Sequence, residues 1–140
     1  MVEFIVGEKG RGKTTKLIDR ANKVVKDVEG SVVFLDRDNN KMFDLDRNIR
    51  LVNLANYNLK NNDNFLGFVS GLVSQNSDIE YVFVDGFLNV SKIDVNATLE
   101  DTVNELEDLS DKFNITFVLS VSRSKEEIPD TLSSKIVLAL

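Results

Sequence analysis

Apolar and polar positions follow two regimes along the chain. Short runs of consecutive apolar residues alternate with stretches in which apolar residues recur every three or four positions. Val2–Val6 is the first run and stops at Gly7. Uniform runs of this length read as strands buried on both faces. Leu17, Ile18, Ala21, Val24, Val25 and Val28 then recur at helical spacing, which predicts a helix over 13–29 with Gly30 as its C-terminal cap. Ser31–Asp36 predicts a second strand. A strand, a helix and a strand in this order imply parallel strands joined by a right-handed crossover.

Residues 37–64 carry less pattern. Asp38-Asn39-Asn40 is turn-like, and Ile49–Leu54 is a candidate short edge strand. Phe65, Phe68, Val69, Leu72 and Val73 predict a helix capped at Asn62. Gly67 and Gly71, four apart on it, suggest close packing on a sheet. Tyr81–Asp85 predicts a third strand ending in an acid, and Gly86–Val95 a loop carrying apolar Phe87, Leu88, Val90 and Ile93. Asn96 suits the cap of a helix to Phe113, with Leu99, Val103, Leu106 and Phe113 inward. Glu100, Asp101, Glu105, Glu107 and Asp108 form its solvated face. Ile115–Ser120 and Ile136–Leu140 complete five strands, with the only proline, Pro129, between them. The expectation is one domain over 1–140, a three-layer α/β/α sandwich around a mainly parallel five-stranded sheet.

Composition narrows the chemistry. The chain of 140 residues has no Cys and no His. That excludes disulfides, thiolate catalysis, cysteine-held zinc and any histidine base. A general base must be a carboxylate, a lysine, a tyrosine or water. Lys plus Arg is 17 against 23 Asp plus Glu, a net charge of −6, which disfavours non-specific binding of nucleic acid or anionic membranes. No apolar run approaches the roughly 18 residues of a membrane span. No basic segment followed by a long apolar stretch marks a signal peptide, so the expected location is the cytoplasm. Against the acidic total, Lys9, Arg11, Lys13, Lys16, Arg20, Lys23 and Lys26 crowd the start and point to an anion site there.

Gly7-Glu8-Lys9-Gly10-Arg11-Gly12-Lys13-Thr14 satisfies G-x-x-x-x-G-K-[ST], between a predicted strand and a predicted helix. Gly7, Gly10 and Gly12 let successive N–H groups face one concavity, and the helix dipole points at the same place. Lys13 is placed for β- and γ-phosphate oxygens, Thr14 for Mg²⁺ and Thr15 for the α-phosphate. Lys9 and Arg11 add positive charge within the loop. Asp85, ending an apolar strand, fits an acid that contacts Mg²⁺ through water.

On these residues the chain resembles the P-loop NTPase superfamily over its whole length, and most closely its RecA-type core. Tyr81–Gly86 is similar to that group's Walker B strand, Thr116–Ser122 to its fourth strand and Ser133–Leu138 to its last. The resemblance implies a sheet order of 5-1-4-3-2 for the five strands, and ATP with Mg²⁺ as ligands. It departs from the group's patterns at the water-activating base. Gly86 stands where AAA-type ATPases have Glu, and Asp36 and Asp38 are the candidate bases after the second strand. Ser120-Val121-Ser122-Arg123 replaces the N-K-x-D of translational GTPases, so ATP is favoured and GTP stays open. Arg123, after the fourth strand, is a candidate contact for the γ-phosphate. The expected activity is a slow ATPase or a nucleotide-dependent switch. Phe34–Asp38 also resembles the D-x-D of shikimate-type kinases, which gives a small-molecule kinase using Asp36 and Asp38 as an alternative. A non-catalytic interaction domain with a vestigial phosphate loop is another. The Gly86–Val95 loop is expected to expose its apolar residues to a partner or to a second copy.

Overall fold

A computed structural model describes residues 1–140. The strands are β1 (Val2–Val6), β2 (Ser31–Asp36), β3 (Ile49–Asn53), β4 (Ile79–Val84), β5 (Thr116–Val121) and β6 (Ile136–Ala139). The helices are α1 (Lys13–Asp27), α2 (Asn62–Gln75), the single turn α3 (Phe87–Val90) and α4 (Asn96–Phe113). The sheet has six strands, not five, in the order β3-β2-β4-β5-β1-β6 with every pair parallel. The five expected strands keep their expected neighbours. The added one is Ile49–Asn53, which pairs along β2 from Val32↔Ile49 to Asp36↔Asn53. Its mixed sequence, with exposed Arg50 after buried Ile49, is what an edge strand can carry and a central one cannot.

Alternation along the strands sends side chains to two cores. Phe4, Val33, Leu35, Val82, Phe117 and Leu119 face α2, α3 and α4. Ile5, Val32, Phe34, Phe83 and Val118 face α1, which buries Leu17, Ile18 and Ala21 against them. A parallel sheet covered on both faces forms the middle of an α/β/α sandwich.

Several local expectations change. α1 ends at Asp27, capped by Val28 rather than Gly30. Gly30 instead passes close to the chain before β4, where a Cβ would lie 2.0 Å from the Asp78 carbonyl oxygen. Asn61, not Asn62, caps α2 by accepting from the Asn64 N–H at 2.8 Å. Gly67 and Gly71 lie on the exposed face of α2 with open space where a Cβ would point, so they mark no close packing. α4 is capped at Val95, and Asn96 turns its side chain to Arg123. The segment 86–95 is not an open apolar loop. Phe87, Val90 and Ile93 are buried under the sheet's larger core, so they are not the exposed apolar residues expected there. The single turn α3 lays Phe87 and Val90 inward, and Ile93 follows them in after the chain turns at Lys92, whose φ is 60°.

Candidate functional site

The carboxyl ends of β1, β2, β4 and β5 open on one side into a cleft of about 380 Å³, with no hydrophobic residue among its 13 lining residues. The glycine loop between β1 and α1 forms one wall. Gly10 and Gly12 adopt φ of 85° and 90°, and a Cβ at either would meet nothing within 4 Å. Only their left-handed backbone, not crowding, requires glycine there. α1 begins with no side-chain cap and no acid in its first turn. Its orphan N–H groups and positive dipole end are therefore left to the cleft.

Lys13 is 8% exposed, and its ammonium donates to the Glu8 carbonyl at 3.2 Å across the loop. Burial pushes it below the ordinary lysine range, with the Asp85 charge opposing. The Thr14 hydroxyl donates to the Asp85 carboxylate, 3.0 Å from Oδ2. Asp85, just past β4, is fixed from the other side by Ser120 of β5, whose hydroxyl donates to Oδ1 at 2.8 Å. Ser120 in turn accepts from the Gly86 N–H at 2.8 Å. Two sequence segments 71 residues apart thus meet through one hydroxyl–carboxylate contact.

Asp36 ends β2 and is 1% exposed. Its Oδ1 accepts from the Arg37 N–H at 2.7 Å, but its Oδ2 has no hydrogen bond. What faces Oδ2 is the Lys41 ammonium at 3.0 Å, a charge contact without hydrogen-bond alignment. Burial raises the Asp36 carboxyl above the ordinary aspartate range even though Lys41 and the Arg37 N–H pull the other way. Burial also works against the Lys41 charge, yet the carboxylates around it prevail and hold it above the ordinary lysine range.

The remaining expected residues divide. Lys9 lines the cleft on the exposed loop. Gly7 lies behind the loop, where a Cβ would crowd Leu140. Asp38 sits at the margin, its side chain accepting from the Asn40 N–H at 2.9 Å and 3.7 Å from Lys41. Thr15 is exposed on α1 and is not among the residues that line the cleft. Arg11 is exposed and lies 3.9 Å from Glu8. Arg123 bonds to the Asn96 side chain rather than entering the cleft. Lys41 and Ser120 were not among the expected site residues. Ser120 leaves a trace in the sequence, a hydroxyl inside an apolar run. Lys41 leaves none beyond its place after a turn.

Fold and site together define a parallel α/β sandwich with a charged, wholly polar cleft at the carboxyl ends of its strands, where ligands of open α/β sheets bind. Comparison with protein-family models and with characterised proteins finds no match for the chain. No helix is long and apolar enough to cross a membrane.

Proposed function

We propose that the protein is a P-loop nucleotide-binding protein that takes a nucleoside triphosphate with Mg²⁺ in this cleft, ATP before GTP, and acts as a slow ATPase or nucleotide-dependent switch. The observation that carries the reading is the Thr14–Asp85 contact at the uncapped start of α1. A hydroxyl and a carboxylate are hard oxygen donors, the kind that suit Mg²⁺, and the adjoining N–H groups and Lys13 suit phosphate. No group of three acids is arranged to hold a metal ion alone. Mg²⁺ keeps several waters and shares substrate phosphates, so Thr14 and Asp85 suffice as the protein's part. Bound there, Mg²⁺ supplies charge neutralisation on the phosphates.

This chain's own residues do the rest. The loop N–H groups and Lys13 hold and orient the phosphates, and Ser120 keeps Asp85 aimed at Thr14. Phosphoryl transfer depends mainly on such positioning and charge stabilisation. Slowness follows from what surrounds the candidate bases. Asp36 is engaged by Lys41 and Asp38 by its own turn. Neither Arg11 nor Arg123 reaches the cleft.

Phosphate release from Mg·ATP, followed with and without candidate small acceptors, tests the activity. Turnover below about one per second without an acceptor, lost in Lys13→Ala, is the expected result. Fast turnover only with an acceptor would move the assignment to a kinase. Binding with no turnover would leave the switch.

A further inference from the structure

Two cations, Arg37 and Lys41, line the cleft on the wall opposite the glycine loop. Lys41 Nζ lies 3.0 Å from Asp36 Oδ2, 3.7 Å from Asp38 Oδ1 and 3.7 Å from Asp85 Oδ2. The same Asp85 oxygen is 3.0 Å from the Thr14 hydroxyl, so a single carboxylate oxygen separates Lys41 from the loop threonine. Lys13 arrives after β1 and Lys41 after β2, with β4 and β5 between those strands. The two lysines therefore approach any group in the cleft from opposite ends.

The segment that carries Lys41 is built to hold it there. Residues 44–46 are clamped to α1, where the Asn22 amide donates to the Asp44 carbonyl at 2.9 Å and accepts from the Asp46 N–H at 2.8 Å. Leu45 is buried beside them. Lys41 points inward, while Met42 and Phe43 are 52% and 91% exposed. Arg37 is exposed at the rim of the cleft, so Lys41, held against Asp36, is the deeper cation of this wall.

Resting on the nucleotide assignment above, we propose that Lys41 is the residue that recognises the terminal phosphate of the nucleoside triphosphate, a charge-stabilising finger supplied within the chain. Its ammonium is a flexible point charge already matched to oxygen anions. Phosphate oxygens can replace carboxylate oxygens around it without leaving it unpaired. A diphosphate held by the loop and Lys13 lacks the group that Lys41 serves. The carboxylates that hold Lys41 compete with that phosphate for it.

Calorimetric titration with Mg·ADP and with a non-hydrolysable Mg·ATP analogue separates the possibilities. The variants are Lys13→Ala, Lys41→Met, Lys41→Arg and the double variant Asp36→Asn/Lys41→Met. The double variant also removes the buried carboxylate, so the test survives if Lys41→Met alone fails to fold. Loss of one charge-assisted contact predicts at least about tenfold weaker binding of the analogue. Binding of ADP is expected to stay within about threefold, well under the roughly tenfold worth of one such contact. Lys41→Arg keeps the triphosphate preference. Equal weakening of both nucleotides, or of neither, in a protein whose binding still depends on Lys13 overturns the role of Lys41 alone. Wild type that binds neither nucleotide overturns the nucleotide assignment and the Lys41 role with it.

Discussion

The two faces of the sheet are covered unequally. On one, α2, α3 and α4 close over 25 buried apolar residues; on the other, α1 and the connection 37–48 close over ten. The thick face has large side chains interlocked from several elements, with Phe65 and Phe87 edge to face at 6.0 Å. The thin face supplies both walls of the cleft, the glycine loop leading into α1 and the segment bearing Lys41. Burial on the first side holds the molecule together. On the second it leaves backbone N–H groups and charged side chains facing the cleft.

Two acids, one partly buried and one fully buried, express the same contrast. Glu107 of α4, on the thick side, accepts from the Val2 N–H at 2.9 Å and from Lys135 at 2.6 Å. Burial alone would raise its carboxyl, but Lys135 and the Val2 N–H outweigh it and hold it below the ordinary glutamate range. Asp36, at the cleft, ends with its carboxyl raised. A lowered carboxyl stabilises the fold when ionised, and a raised one costs stability when ionised.

The contrast predicts effects of decreasing size. Phe117→Ala, in the thick core, should cost about 3–5 kcal/mol by chemical denaturation. A loss near 1 kcal/mol would mean that the thick face does not carry the stability. Glu107→Gln should cost about 1–2 kcal/mol at neutral pH, from the lost charged contacts. That cost should fade as pH falls through the lowered carboxyl value, because the wild-type glutamate then protonates too. A cost independent of pH would contradict the assigned cause. Asp36→Asn should change neutral-pH stability by less than about 1 kcal/mol, since Lys41 keeps Asp38 and Asp85. Its pH trend runs the other way. The wild type regains stability relative to the variant as pH drops through the raised Asp36 value and toward the ordinary one. Stability curves of both variants from pH 7 to 3 show whether the trends are opposite in sign.

Much of the architecture was legible because it is local. Parallel strands buried on both faces spell themselves as unbroken apolar runs, and α1 and α4 carry regular periods. The glycine loop was legible for the same reason, since its conformation is set by adjacent glycines. What escaped depends on distant partners. β3 is legible as a candidate edge strand but falls outside the five-strand count, because its mixed sequence makes full sense only beside β2. The connection 37–48 is held by Asn22 and one buried leucine, which no period reveals. Lys41 owes its place to carboxylates from β2 and from the end of β4. Phe87, Val90 and Ile93 looked like exposed apolar residues because one helical turn is too short to show a face. Arg123 follows the right strand, but Asn96 takes it.

The central claim is that the polar cleft binds a Mg²⁺-nucleotide through Lys13. Thermal unfolding of wild type and Lys13→Ala, with Mg²⁺ and ATP, GTP or ADP, tests it most directly. A nucleotide present at about 100 times its Kd should stabilise the wild type by about 2.7 kcal/mol, a plain rise in Tm. The account predicts that rise with ATP in the wild type and its absence in Lys13→Ala. No rise with any of the three nucleotides, or an equal rise in both proteins, would contradict it.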